Sequence, residues 1–324
     1  MENKLFSKKD RRTYEHICCL TERGVMQMMA MFLRSRYKNI IITPSYIIAI
    51  GDIPIGLCAH ADTVFPKPPK DTEFYYDTEK NVIWNSGGAG ADDRAGIFSI
   101  IYLLRNYSEL KPYIFITTGE ETFCMGSNKL CAHFPEFPYK LKYLIQLDRR
   151  GHDDAVYYEC ANADFENYIN KFGFKTALGS YTDISVLAPH FKCAAVNLSI
   201  GYIDEHSRIE RLYVNHMFET IDKVVKILKD EPNSSYYEYI EAPIYNPFKF
   251  EGDSVICNNC SQPVKIQDVL PLYSLKDKKY INICLNCYAK IFDRIAWCDK
   301  CYKGFLFTKP VEDQFYVCDE CKDN

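Results

Sequence analysis

Over the first 230 residues, short apolar runs alternate with longer amphipathic stretches. The runs "YIFITT", "LKYLIQL" and "CAAVNLSI" are typical of strands that a sheet buries on both faces. The segment "NIIITPSYIIAIGDIPIGLCAH" predicts two or three further short strands. Helical periodicity predicts helices over residues 12–34, 93–107, 126–133, 163–172 and 211–230. This alternation predicts an α/β fold with a mainly parallel sheet flanked by helices.

The pattern changes after residue 230. Residues 231–250 contain three prolines and no clean period, which indicates a linker or a segment draped over the preceding domain. Residues 251–324 are rich in cysteine. We therefore expect a large domain over residues 1–230, a linker over 231–250 and a small zinc-ribbon-like domain over 251–324.

Composition and charge exclude several classes of protein. Hydrophobic residues make up 47% of the 324, which favours a packed globular chain over a disordered one. The net charge of -4 does not favour nucleic acid or an anionic membrane as a partner. No apolar run approaches the roughly 20 residues of a membrane span. The charged N-terminal segment "MENKLFSKKDRRTYEH" does not resemble a secretion signal, so we expect a cytoplasmic protein.

In a reducing compartment, clustered cysteines indicate metal binding rather than disulfides. Eight of the 15 cysteines form four Cys-x2-Cys units, and the other seven lie mostly in apolar runs, where they resemble small buried hydrophobic residues. The spacing of the four units predicts two structural zinc sites with four cysteines each. We favour pairing of successive units over an interleaved, cross-braced arrangement. The eight predicted ligands are Cys257, Cys260, Cys284, Cys287, Cys298, Cys301, Cys318 and Cys321.

Zinc ribbons often bind nucleic acid, but the charge of this tail does not support that function. Residues 251–324 carry 10 lysines and arginines against 11 aspartates and glutamates. Thiolates on zinc would make the tail more acidic. This balance favours contact with a protein partner, or a role as a lid over a site of the first domain.

Several apolar runs of the first domain end in side chains that can bind metal. "IPIGLCAHAD" ends in His60 and Asp62, and "YIFITTGEE" ends in a pair of glutamates. "LKYLIQLD" ends in Asp148, and "CAAVNLSIGYIDEH" continues to His206. Ligands of open α/β sheets bind beyond the carboxyl ends of the strands, which is where these residues accumulate. The glycine-rich loop "NSGGAGADDRAG" adds two adjacent aspartates but lacks the pattern of a phosphate-binding or dinucleotide-binding loop.

Taken in order, "AHADT", "GADDRAG", "TGEE", "LDRRG" and "NLSIGYIDEHS" resemble the zinc exopeptidases that use a co-catalytic pair of metal ions. That superfamily includes peptidase T, the glutamyl and tetrahedral aminopeptidases, and related amidohydrolases and deacetylases. The resemblance covers roughly residues 50–228. It implies that His60 and Asp148 hold one zinc ion, that Glu121 and His206 hold the other, and that Asp92 bridges both.

The resemblance also assigns roles to residues beside the ligands. Asp62 would accept a hydrogen bond from the second ring nitrogen of His60. Glu120 would be the general base. The peptide bond between Asp92 and Asp93 would be cis, with Asp93 turned away from the metals.

The chain departs from many relatives in one respect. Only 31 residues separate His60 from Asp92, and 57 separate Asp148 from His206, so neither interval has room for the additional domain that many relatives carry. Substrate contacts must then come from elsewhere. Arg149 and Arg150 are candidates for binding a substrate carboxylate, or else form salt bridges at a strand end. Tyr181 and Asp183 resemble a family segment that lines the site, or else form a structural turn.

Three functions are compatible with these residues. The first is an aminopeptidase or di/tripeptidase that uses a water activated by two zinc ions. The second is an amidohydrolase or deacetylase that acts on a small N-acyl compound. The third is a peptidase fold repurposed for binding a protein. The expected cofactors are two co-catalytic and two structural zinc ions.

Overall fold

The computed structural model describes residues 4–70, 73–179, 181–241, 254–265, 269–298, 303–311, 315–316 and 318. The chain forms two compact units, Met1–Pro243 and Ile244–Asn324. Within the described residues, none of the helices has both the length and the apolar character that a membrane span requires.

In the described part of the first unit, seven α-helices pack around two sheets. The helices are α1 (Lys8–Cys18), α2 (Glu22–Arg34), α3 (Ala91–Asn106), α4 (Met125–His133), α5 (Ala163–Asn170), α6 (Asp183–Phe191) and α7 (Val214–Lys229). The strands are β1 (Asn39–Ile42), β2 (Tyr46–Ile50), β3 (Ile53–His60), β4 (Phe74–Asp77), β5 (Val82–Asn85), β6 (Pro112–Thr117), β7 (Tyr143–Arg149), β8 (Asp154–Val156), β9 (Lys175–Ala177), β10 (Ala195–Ser199), β11 (Tyr202–Ile203) and β12 (Arg211–Tyr213).

The larger sheet has eight strands in the order β1-β2-β6-β3-β7-β10-β8-β9. Its four central strands, β6, β3, β7 and β10, run parallel to one another, and antiparallel strands extend it on both sides. The predicted α/β class, with a mainly parallel sheet flanked by helices, is confirmed. A second sheet has the order β11-β12-β5-β4 and is antiparallel throughout.

Successive residues of the central strands enter two different cores. On β3, Leu57 and Ala59 belong to the core beneath α3 and α7, whereas Cys58 belongs to the core on the opposite face. On β6, Ile114 and Phe115 divide between the two cores in the same way. Burial on both faces explains why these strands appear in the sequence as continuous apolar runs.

Two helix predictions need correction. The helix expected over residues 12–34 is two helices, because the side chain of Thr21 accepts a hydrogen bond from the backbone N–H of Gly24 at 3.1 Å and caps α2. Helix α6 was not predicted. Its start carries a capping box formed by Thr182 and Ser185, but Pro189 in its last turn argues against a helix in the sequence.

Part of the expected linker packs against the first unit. The backbone carbonyls of Tyr237 and Ile240 accept hydrogen bonds from Ala194 and Ala161 at 2.8 and 2.7 Å. Residues 231–241 therefore lie along the first unit, and residues 242–250 fall outside the described residues.

The described residues of the second unit form short strands and one α-helix. Its elements are β13 (Ser254–Ile256), β14 (Pro263–Lys265), β15 (Val269–Ser274), β16 (Lys279–Cys284), α8 (Leu285–Ile291), β17 (Ile295–Cys298), β18 (Gly304–Leu306) and β19 (Phe315–Tyr316). Strands β13 and β14 form a two-stranded sheet, and β15–β19 form a five-stranded sheet.

Candidate metal centre

The candidate site lies at the carboxyl ends of the central strands. His60 is the last residue of β3, Asp148 lies near the end of β7, and Glu121 follows β6. Because β6, β3 and β7 are neighbours in the sheet and run parallel, their carboxyl ends meet at one edge. His206 arrives on the loop between β11 and β12, and Asp92 lies at the start of α3.

Asp92 lies between two histidines. One of its carboxylate oxygens, Oδ1, is 3.0 Å from His60 Nε2, and the other, Oδ2, is 3.3 Å from His206 Nε2. His60 Nε2 is also 3.5 Å from Asp148 Oδ1, and His206 Nε2 is 3.1 Å from Glu121 Oε2. At Nε2, His60 therefore faces Asp148 and His206 faces Glu121. Both Nε2 atoms also face Asp92. The five side chains predicted as ligands come together.

The loop before α3 gives Asp92 this position. The peptide bond between Asp92 and Asp93 is cis, as expected, and both residues have non-helical backbone angles, so the regular helix begins after them. Gly90 has a φ of +60°, and a Cβ there would lie 2.8 Å from Cγ2 of Thr63. A side chain at residue 90 would therefore push the loop away from the end of β3.

Asp93 binds backbone rather than facing the histidines. Its oxygens accept hydrogen bonds from the N–H groups of His60 at 3.0 Å and Gly96 at 2.9 Å. Its carboxylate is close enough to His60 and Asp148 for the three to hold an ion, but those two backbone donors already occupy its oxygens. Asp93 therefore joins the end of β3 to the start of α3.

Asp62 links His60 to the pair of glutamates. Its Oδ1 lies 3.3 Å from His60 Nδ1. Its two oxygens also accept hydrogen bonds from the backbone N–H groups of Glu120 at 3.2 Å and Glu121 at 3.1 Å. One buried carboxylate thus holds the end of β3 against the turn that follows β6.

Three neutral side chains hold the carboxylate of Asp148. Gln146 Nε2 and Thr182 Oγ1 donate to its Oδ2 at 2.9 and 3.1 Å, and the Tyr202 hydroxyl donates to its Oδ1 at 3.2 Å. These three residues were not predicted from the sequence. The place of Gln146 is visible in the sequence, since it lies two residues before Asp148 on the same face of β7.

Glu210 is a further buried carboxylate that the sequence analysis missed. Its oxygens accept hydrogen bonds from the backbone N–H groups of Ala91 at 2.9 Å and Asp92 at 3.1 Å. No local signal in the sequence identifies this contact, because the partners are more than a hundred residues apart. It forms because β12, which follows Glu210, pairs with β5, which leads into the Asp92 loop.

The electrostatics of the site favour a bound cation. Burial and, after it, the neighbouring charge of Asp92 together raise the pKa of Asp148 to about 7. Burial likewise raises the pKa of Glu120 to about 9. Among the described residues, the buried oxygen Oε1 of Glu121 has no hydrogen-bond partner. Crowded carboxylates and an unpaired buried oxygen are costly without positive charge, and a divalent cation would offset that cost.

A cleft of about 300 Å³ opens onto these side chains. Glu120, Arg149, Arg150 and Tyr181 line it together with the candidate ligands Asp92, Glu121, Asp148 and His206. Arg149 donates to the backbone carbonyl of Leu178 at 3.0 Å, and Arg150 pairs with Glu205 at 2.9 Å. Both guanidinium groups therefore already have partners at the strand end.

Asp183 is not among the residues that line the cleft. It is the first residue of α6, is fully buried, and accepts hydrogen bonds from the hydroxyls of Thr117 and Ser127, each at 2.5 Å. This position corresponds to the structural alternative rather than to a substrate contact, because both carboxylate oxygens are occupied inside the protein.

The second unit holds a separate cluster of cysteines. The sulfurs of Cys257, Cys260, Cys284 and Cys287 lie within 4.8 Å of one another, a grouping that could hold a metal ion. These cysteines come from the first two Cys-x2-Cys units, so successive units do pair here. The backbone N–H of Cys318 donates to Cys298 Sγ at 3.3 Å, which brings the third and fourth units together. Cys301 and Cys321 fall outside the described residues.

No protein-family model matches the chain, and no curated protein matches its sequence. Solved structures do match it. A tripeptidase from Staphylococcus aureus subsp. aureus mu50 is 13% identical, with a TM-score of 0.58 over 71% of this chain and 100% of its own. Aminopeptidase PepT from Bacillus cereus ATCC 10987 is 14% identical, with a TM-score of 0.56 over 70% of this chain and 99% of its own.

A third similar structure is the TET1 peptidase of Pyrococcus horikoshii, which can assemble into a tetrahedron or a large octahedral shell. It is 13% identical, with a TM-score of 0.51 over 68% of this chain and 98% of its own. At such identities the similarity shows the fold. The resemblance to the zinc exopeptidases is therefore confirmed at the level of the fold.

Proposed function

We propose that this chain is a two-zinc aminopeptidase or di/tripeptidase. The observation that carries the proposal is the position of Asp92, whose two carboxylate oxygens face two different histidines, each with a further carboxylate beside it. This arrangement lies at the carboxyl edge of the sheet, in a fold shared with solved aminopeptidases.

The side chains fit zinc in their chemistry. Imidazole nitrogen together with carboxylate oxygen suits zinc better than calcium, which prefers oxygen ligands alone. The unpaired Oε1 of Glu121 and the crowded carboxylates would gain from two dications. His60, Asp148 and Asp92 would hold one ion, and His206, Glu121 and Asp92 the other. A zinc pair would polarise the substrate carbonyl and make a water molecule more acidic.

The reaction then requires a proton to be moved, and we assign this step to Glu120. It lines the cleft beside the candidate ligands. Glu120 accepts a proton from the water whose oxygen attacks the carbonyl carbon. The C–N bond then breaks, and Glu120 delivers that proton to the leaving amine. Asp62 holds Glu120 in place through its backbone N–H and stands beside His60.

The second unit adds structural zinc to the proposal. Four cysteine sulfurs grouped within 4.8 Å suit a tetrahedral zinc site, and the approach of Cys298 and Cys318 supports another with Cys301 and Cys321. Zinc would stabilise this unit, whose described hydrophobic clusters are small. Its nearly balanced charge leaves contact with a protein partner as its proposed function.

Hydrolysis assays with purified, zinc-loaded protein test the proposed activity. Free-amino dipeptides and tripeptides should release amino acids, while N-acyl amino acids should remain intact. Cleavage of the N-acyl compounds alone would instead indicate an amidohydrolase or deacetylase. Absence of any hydrolysis at full zinc occupancy would contradict an enzymatic function and favour a binding protein.

A further inference from the structure

Two aromatic side chains stand exposed at the mouth of the cleft. Phe123 is 89% exposed and Tyr181 is 52% exposed, and both line the cleft that contains the candidate ligands. Two other tyrosines of the cleft form hydrogen bonds to the protein itself. Tyr158 accepts one from Asn197, and Tyr202 donates one to Asp148. Phe123 has no polar group that water can satisfy, so its exposure leaves apolar surface that a ligand could cover.

The backbone holds Phe123 in this exposed position. Phe123 and Cys124 have φ values of +62° and +52°, which are uncommon for residues other than glycine. The turn is closed by hydrogen bonds from the N–H of Cys124 to the carbonyl of Glu120 at 3.0 Å, and from Met125 to Gly119 at 2.8 Å. An unfavourable conformation that fixes an exposed ring two residues after a candidate ligand is a feature typical of a functional position.

The two aromatic rings carry no charge, so at the mouth of the cleft they favour an apolar group of a ligand. The arginines of the cleft each have one partner, since Arg149 binds the carbonyl of Leu178 and Arg150 pairs with Glu205. We propose that Phe123 and Tyr181 form a subsite that accepts a large apolar side chain of the peptide, adjacent to the bond that is cleaved. This proposal rests on the proposed peptidase function and adds the class of substrate.

Matched peptides test the subsite. Dipeptides and tripeptides that differ only in one side chain, leucine or phenylalanine against alanine, should be compared at each position. The parent should favour the large apolar residue at one position. Because each ring would cover only part of such a side chain, Phe123→Ala and Tyr181→Ala should each lower kcat/KM for that peptide by up to about 10-fold. The alanine peptide should change by less than about 2-fold. Met31→Ala, on α2 and also exposed, is the control for loss of a surface apolar side chain.

Other outcomes would overturn the subsite without touching the proposed activity. Equal hydrolysis of leucine, phenylalanine and alanine peptides by the parent would overturn the subsite. A fall in kcat/KM in the variants that is equal for all peptides would also overturn it. A parent dimer that dissociates in Phe123→Ala would show that the ring is an interface between copies. If the parent hydrolyses no peptide, the proposed function fails. Binding of leucine-containing and alanine-containing peptides to the zinc-loaded protein then decides the subsite alone.

A second inference comes from Glu210. Its side chain is fully buried, and both of its hydrogen bonds go to the backbone on the N-terminal side of Asp92. It lies four residues after His206, in the loop that carries that histidine. Glu210 thus connects the two loops that bring Asp92 and His206 together.

We infer that Glu210 is a positioning residue for the zinc pair. Its carboxylate holds the Asp92 loop so that the two oxygens of Asp92 face different histidines. A glutamine at this position would place an amide N–H₂ against one of the backbone N–H groups. An alanine would leave both buried N–H groups without an acceptor.

Zinc retention tests this inference. Residues that orient metal ligands typically contribute about 10–100-fold to metal affinity, so Glu210→Ala should lose co-catalytic zinc to a chelator at about 10-fold lower concentration than the parent. Glu210→Gln should be intermediate. At saturating zinc, kcat should fall and KM should change little. Asp204→Asn is the matched control, since Asp204 lies in the same loop but pairs with exposed Arg211. A folded Glu210→Ala protein with parental zinc affinity and kcat would overturn the inference.

Discussion

Glu120 and Glu121 are neighbours in sequence but have different surroundings. Glu121 lies 3.1 Å from His206, whereas Glu120 lines the cleft and is anchored at its backbone by Asp62. Both backbone N–H groups donate to the carboxylate of Asp62, although the two side chains have different surroundings. Their replacement should therefore have different consequences.

Glu120→Gln should keep zinc and lose turnover. The amide preserves the shape of the side chain but cannot accept the proton, so we expect a loss of about 10²- to 10⁴-fold in kcat. Glu121→Ala should instead lose one zinc ion per chain, because it removes a ligand. Zinc content and hydrolysis should be measured for both variants in one buffer. If Glu120→Gln lost zinc and Glu121→Ala kept it, the two roles would be exchanged.

Replacement of Asp183 distinguishes a structural role of this residue from a role in substrate binding. Asp183→Ala removes the acceptor of two buried hydroxyls, Thr117 and Ser127, and should destabilise the first unit by about 2 kcal/mol or more. KM should stay near the parental value in the protein that remains folded. Chemical denaturation gives the first quantity and steady-state kinetics the second. A raised KM with unchanged stability would restore Asp183 as a substrate contact.

At the scale of elements, α3 and β7 approach closely beside the metal centre. A Cβ at Gly96 would lie 2.4 Å from the backbone carbonyl oxygen of Leu147 and 2.4 Å from Asp93 Oδ1. Asp148, the next residue of β7, is a candidate ligand. The packing of this helix on this strand thus depends on the absence of a side chain.

Gly96→Ala should force α3 away from β7. Overpacking of a close contact costs about 1–3 kcal/mol, and the shift should also weaken zinc binding through Asp93 and Asp148. Thermal unfolding and zinc retention would measure the two effects. Gly24→Ala in α2 is a control, since its nearest neighbours are side-chain atoms of Leu20 and Thr21 at 3.3 Å or more. Parental stability of Gly96→Ala would contradict the close packing.

At the scale of the whole molecule, the total zinc content tests the proposed metal sites of both units. The two proposed co-catalytic sites and the two proposed structural sites predict four zinc ions per chain. Cys284→Ser should lower this number by one and destabilise the second unit, because a structural zinc contributes directly to folding. The first unit should keep its unfolding transition. Metal analysis and calorimetry would measure both effects, and Cys131→Ser in α4 should leave the zinc content unchanged.

The elements were predicted well where the apolar pattern is long and regular. The central strands and helices α3, α5 and α7 lie within a few residues of their predicted positions, because burial on one or both faces leaves a clear period. The pattern failed where a local contact opposed it. Thr21 caps a new helix inside an apolar period, and α6 forms despite Pro189 because its capping box and its packing stabilise it.

The sequence by itself determined which residue types are available for chemistry and on which strand ends they lie. The alternation of apolar runs and amphipathic stretches was enough to predict an α/β fold, and the polar residues at the ends of those runs predicted a site at one edge of the sheet. The resemblance already implied which carboxylate faces which histidine. Only the tertiary structure decided that Asp183 is enclosed, that Glu210 binds the backbone of the Asp92 loop, and that Phe123 is exposed beside the candidate ligands. The spacing of apolar residues along the chain indicates on which face of a helix or strand a side chain lies. It carries no information about a partner a hundred residues away, because such a contact depends on how loops and strands meet in space.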